Sequence, residues 1–111
     1  MQFQPVMSAQ NGPLPLSATF NAESDLTMIL FVSGSAWAKQ GGTWVGFQVL
    51  LDNASTGAVA AVYCNEPNSH RALIPTLCPI KVDFGQHTIS LSPLAGTETD
   101  ENDYFNILLI F

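Results

Sequence analysis

Tyr104-Phe105-Asn106-Ile107-Leu108-Leu109-Ile110-Phe111 is the stretch on which the fold turns. Read with the period of two that a strand imposes, Phe105, Ile107, Leu109 and Phe111 lie on one face and Tyr104, Leu108 and Ile110 on the other. Both faces are apolar. At roughly 3.4 Å per residue such a strand reaches about 27 Å, enough to cross a small sandwich from end to end. It is therefore predicted to be a central strand, paired on both sides.

The rest of the chain repeats the strand signal. No segment holds a 3.6-residue apolar period over three turns, so no long helix is expected. Short runs rich in Val, Ile, Leu, Phe and Thr recur at Pro15–Phe20, Leu26–Trp37, Trp44–Asp52, Ala58–Cys64, His70–Ile74, Ile80–Phe84 and Gln86–Leu91, before Tyr104–Phe111. Turn formers separate them: Asn11-Gly12-Pro13, Gly41-Gly42, Asn53–Gly57 and Asn65–Asn68. Pro67, Pro75, Pro79 and Pro93 fall at strand ends, where a missing N–H does least harm. About eight strands at regular spacing read as one all-β domain over residues 1–111, an antiparallel sandwich.

Two strands carry more apolar surface than a sandwich can bury internally. Ile80, Val82 and Phe84 alternate cleanly with Lys81 and Asp83. By contrast, Leu26–Val32 sets Leu26, Met28, Leu30 and Val32 against Ile29 and Phe31, and the last strand is equally two-faced. An antiparallel sandwich buries one face of each sheet, so a second apolar face must meet something else. Covering two large side chains is worth about 3–6 kcal/mol, and another copy of the chain is the simplest cover.

The ending from Asp103 to Phe111 resembles the terminal strand of the TNF/C1q-like jelly rolls, with an aromatic beginning and an apolar end. The resemblance covers about ten residues plus the strand pattern, in a chain shorter than typical members. It implies a jelly-roll fold and a compact homotrimer with that strand at its axis. Some bacterial lectins share the trimeric fold and bind sugars between protomers, so the resemblance also implies a carbohydrate partner, with no binding residue carried over.

Composition narrows the partners. Charged residues make up 11% of the chain, and three basic residues against nine acidic ones give a net charge of −6. Phosphate backbones and anionic membranes demand clustered Lys and Arg, which excludes nucleic acid and a lipid surface as partners. Residues Met1–Met7 have no basic start and no apolar run, so they do not read as a signal peptide, and no segment is apolar over the ~20 residues of a spanning helix. Ser, Thr, Asn and Gln supply 30 of 111 residues, a polar but mostly uncharged surface.

Catalytic patterns are absent: there is no Gly-x-Ser-x-Gly elbow, and the four acids Glu98, Asp100, Glu101 and Asp103 crowd into one loop instead of two environments. No catalytic residue and no cofactor is assigned. Glu98, Asp100, Asn102 and Asp103 could offer oxygen to Ca²⁺, yet the segment lacks the glycine and distal glutamate of a calcium loop, so it reads as structural and no metal ligand is assigned. Cys64 and Cys78 read as buried thiols. His87 shares a face with Ile89 and Leu91, the place of a core or interface histidine. The candidate ligand-binding residues are Trp37, whose indole offers a sugar a flat stacking surface, and His70 and Arg71, whose planar fork can grip hydroxyl pairs. Trp44 opens a strand and is expected to be buried. The expected function is a non-catalytic binding module, carbohydrate first, in a homo-oligomer, with a structural or protein-interaction assembly domain as the alternative.

Overall fold

The computed structural model covers residues 1–111 and contains strands but no helix. In chain order these are β1 (Phe3–Asn11), β2 (Leu16–Ala22), β3 (Leu26–Ser33), β4 (Ser35–Ala36), β5 (Thr43–Leu51), β6 (Ala54–Cys64), β7 (Arg71–Ala72), β8 (Thr76–Val82), β9 (Gly85–Pro93) and β10 (Tyr104–Ile110). Eight are long, and β4 with β7 forms a two-residue ribbon.

Pairing is nested: β1 with β10, β2 with β9, β3 with β8 and β5 with β6, all antiparallel. The chain is one long hairpin rolled into two four-stranded sheets, β1-β10-β3-β8 and β2-β9-β5-β6. That winding is a jelly roll. As the two-faced pattern demands, β10 is central, flanked by β1 and β3. Phe105, Ile107 and Leu109 are buried between the sheets with Leu30, Val32, Val45, Phe47, Ile89 and Leu91.

Several boundaries differ from the sequence reading. Strand β1 was not anticipated, because an edge strand that buries only Met7 has little periodicity of its own. The run Leu26–Trp37 breaks at Gly34, where the backbone crosses the ring of Phe105 so closely that any Cβ would collide with it. The β5–β6 turn is shorter than Asn53–Gly57. Asp52 and Asn53 both adopt left-handed φ, 51° and 69°, as a two-residue hairpin turn requires, and β6 begins at Ala54. His70–Ile74 contracts to β7, and β8 starts at Thr76.

The two outer faces are unlike each other. On the β1-β10-β3-β8 sheet, register places Phe3, Ile110, Ile29 and Pro79 in one row and Pro5, Leu108, Phe31 and Leu77 in the next. Leu77 is 64% exposed and Phe3 60%. On the other sheet, Ser17, Thr19 and Asn21 of β2 stand beside Gln86, Thr88, Ser90 and Ser92 of β9, with Gln48 of β5 next to Ser92. No acidic residue lies in any strand; all nine sit in the connections at the two ends of the molecule.

Candidate functional site

The hydroxyl- and amide-bearing face ends in an aromatic pair. Val45, Phe47 and Val49 of β5 point into the core, which turns Trp44, Gly46 and Gln48 outward. On β6, Ala58, Ala60 and Cys64 are buried, which turns Tyr63, Ala61 and Val59 outward. Trp44 and Tyr63 are direct cross-strand partners, their rings 5.6 Å apart and edge-on at 72°. Trp44 is 57% exposed, which corrects the expectation that it is buried. The strand alternation around Val45, Phe47 and Val49 carried that signal.

The next row behind the pair is Gly46 opposite Ala61. A Cβ on Gly46 would run into the Ala60 carbonyl, so this position must stay bare; Gly46 is buried, its N–H donating to Thr97 Oγ1 at 3.0 Å and its carbonyl accepting from the Leu94 N–H at 2.9 Å. Beyond Thr43 opens a groove of about 420 Å³ lined by Lys39, Gln40, Gly41, Gly42 and Glu98. No strand of this sheet contains Asp, Glu, Lys or Arg. A rigid aromatic surface beside neutral donors and acceptors suits a neutral, polyhydroxylated ligand.

Two of the three residues singled out from sequence come together at the same end of the sandwich. The rings of Trp37 and His70 are 5.7 Å apart. Trp37 is half-buried, its backbone bridged to Glu98 and its indole N–H buried without a hydrogen-bond acceptor. Arg71 lies on β7 opposite Ala36, next along the chain from Trp37, and makes no ion pair.

His70 also reaches the acidic loop. Its Nδ1 lies 2.8 Å from Oδ1 of Asp103, the one charged residue that is wholly buried. Ser35 Oγ donates to the same oxygen at 2.6 Å, and the Asp100 N–H donates to Oδ2 at 2.9 Å. Glu98 pairs with Lys39 at 3.3 Å on the surface. Most of the loop is thus tied into the fold. Asp103 was not legible as a buried group, because its partners come from β4, the 65–70 connection and its own loop.

His87, read from sequence as a core or interface histidine, is half-buried and stacked 5.5 Å from Phe20. Its Nδ1 donates to Asp52 and its Nε2 to the Asp83 carbonyl, both at 2.6 Å. These hydrogen bonds raise its pKa, the Asp52 bond most, and Asp52 is lowered in turn by His87 and then by the Thr88 N–H. Neither histidine has a hydroxyl or thiol on a ring nitrogen. Cys64 and Cys78 are free thiols, the first buried and the second half-buried.

No protein-family model matches the chain, and no curated protein does. The likeness of the last strand to TNF/C1q-like proteins therefore stays a resemblance. Solved structures do match. A family 35 carbohydrate binding module from Clostridium thermocellum superimposes with a TM-score of 0.54 at 8% identity, over 84% of this chain and 66% of that one. Latent dimeric PorU from Porphyromonas gingivalis gives 0.60 at 7% identity, over 98% of this chain and 12% of that protein. A beta-glucosidase from Paenibacillus barengoltzii gives 0.53 at 10% identity, over 96% and 10%. The chain thus spans two thirds of the module and about a tenth of the two larger proteins. At these identities the likeness is one of fold: the chain is an all-β sandwich similar to those domains.

Proposed function

We propose that this chain is a non-catalytic carbohydrate-binding module that uses the outer face of the β2-β9-β5-β6 sheet. The observation that carries the reading is the exposed Trp44–Tyr63 pair at the end of an uncharged ladder of Ser, Thr, Asn and Gln side chains. The apolar C–H face of a pyranose stacks on the indole, and the neutral hydroxyls and amides orient its ring oxygens. Similarity of fold to a carbohydrate binding module supports the same reading. Trp37, His70 and Arg71, at the same end, form a second candidate contact.

A glycan array followed by titration calorimetry tests this. At least one neutral glycan should bind, and Trp44→Ala should weaken it about tenfold or more, equivalent to ~1.4 kcal/mol, without lowering the melting temperature. Arg71→Ala reads the second contact in the same titration. Absence of any glycan ligand, or undiminished binding by Trp44→Ala, sinks the reading.

The apolar outer face of the β1-β10-β3-β8 sheet favours a second reading that is compatible with the first: assembly of the chain with copies of itself. Pro5 on the β1 edge and Pro79 and Lys81 on the β8 edge discourage strand addition, which leaves the face itself as the contact. Leu108 and Ile110 lie at its centre, where the resemblance puts the axis of a homotrimer. Light scattering decides it: a mass of 11.9 kDa at micromolar concentration would leave the face unpartnered.

A further inference from the structure

We propose that His70 and Asp100 hold a divalent transition-metal ion, with Zn²⁺ the best match, over the buried carboxylate of Asp103. The inference goes beyond sugar binding and stands without it.

The arrangement builds from Asp103 outward. A carboxylate only accepts, so the 2.8 Å contact at Oδ1 makes His70 Nδ1 a donor. Asp103 is itself locked by Ser35 Oγ and the Asp100 N–H, so the imidazole is oriented before any ion arrives. A carboxylate behind one ring nitrogen, with the other turned outward, is the arrangement that orients metal-ligating histidines. The outward Nε2 has no hydrogen-bond partner, and its nearest polar neighbour is Asp100 Oδ2 at 3.6 Å. Asp100 Oδ1 is used by the Asn102 N–H at 2.8 Å, which leaves Oδ2 unused.

That 3.6 Å gap is long for a hydrogen bond. It is close to the separation of about 3.3 Å between two ligands that each sit ~2.05 Å from one tetrahedral ion. Ligand atoms of His70, Asp100 and Asp103 all lie within 4.8 Å of one another. Two carboxylates meet here with no Lys or Arg in ion-pair range. One imidazole nitrogen with few oxygens suits Zn²⁺ or Co²⁺, whereas Ca²⁺ takes six to eight oxygens. The His70 and Asp100 side chains are 39% and 38% exposed, so the remaining positions open to water. The Trp37 ring walls one side.

Titration of the whole chain with ZnCl₂ by calorimetry should give one site, and saturation should raise the melting temperature by several degrees. Co²⁺ should give a visible d–d spectrum. His70→Gln and Asp100→Asn should each abolish both signals, and Cys78→Ser should keep them. If His70→Gln does not fold, Asp100→Asn carries the test alone. No binding at millimolar Zn²⁺, binding that survives both substitutions, or equal stabilisation by Ca²⁺ overturns the assignment.

Discussion

At the scale of single residues, the hydrogen bonds of His87 fix how stability follows pH. Both ring nitrogens face acceptors, an arrangement fully satisfied only when both carry hydrogen, so it favours the imidazolium held against Asp52. Because the folded pKa of His87 is raised, its contribution is whole below the unfolded value near 6.5 and is lost as pH rises through the folded one. Asp52 is lowered, so its contribution is whole above an unfolded value near 3.8 and is lost as pH falls through the folded one. The melting temperature should be highest between about pH 4 and 6.5 and decline on both sides. Asp52→Asn should flatten the alkaline limb and cost about 1 kcal/mol in that window, a figure kept small because the Asp52 side chain is 49% exposed. Thermal melts of both proteins from about pH 2 to 9 check this. A histidine beside Ile89 and Leu91 is legible as a core or interface group, but its two acceptors come from separate turns and are not. Trp44 differs, because its outward direction follows from the residues flanking it in the strand.

At the scale of elements, β10 shows what sequence periodicity can deliver. Its apolar residues on both faces required partners above and below as well as on each side, and the structure supplies β1 and β3 beside it and the opposite sheet beneath. Deleting Ile107–Phe111 removes two wholly buried side chains, Ile107 and Leu109, and leaves β1 and β3 facing a gap. At about 1.5–3 kcal/mol for each buried side chain, plus the lost ladder, this is comparable to the ~5–15 kcal/mol stability of a whole domain. The truncated chain should be insoluble or lack a cooperative melt, which expression and circular dichroism will show. A soluble, cooperatively melting product would mean that β10 behaves as an edge. Strand β1 is the counter-case. Phe3 and Pro5 alternate with Gln2 and Gln4, but a register shift between Pro5 and Met7 leaves Phe3 and Pro5 exposed and Met7 buried, and what holds β1 in place is the ladder to β10, together with the two hydrogen bonds between Gln2 and Phe111. A partner one hundred residues away leaves no local trace.

On the scale of the whole molecule, a sandwich 45 Å long and about 24 Å across divides its chemistry by surface: one apolar face, one face of hydroxyls and amides, and acids only at the two ends. Leu108→Arg places a charge at the centre of the apolar face but outside the core, where water can solvate it in the free chain. The variant should fold and run as a monomer in light scattering even if the native chain associates, because an unpartnered guanidinium is costly to bury between copies. If it stays assembled, contact lies elsewhere. The nested pairing of the strands also sets the order in which the protein comes into being. Only the β5–β6 hairpin joins neighbours in sequence by a two-residue turn, while β3–β8, β2–β9 and β1–β10 each close a progressively longer loop. A chain dominated by such distant contacts folds in milliseconds to seconds, far slower than a helical bundle. Among the strands of this sandwich β1 is synthesised first and waits longest, for its mate β10 is the last of the ten. The hairpin that bears Trp44 and Tyr63 is the first that can form, and the apolar face of β1 and β10 is the last surface to be completed.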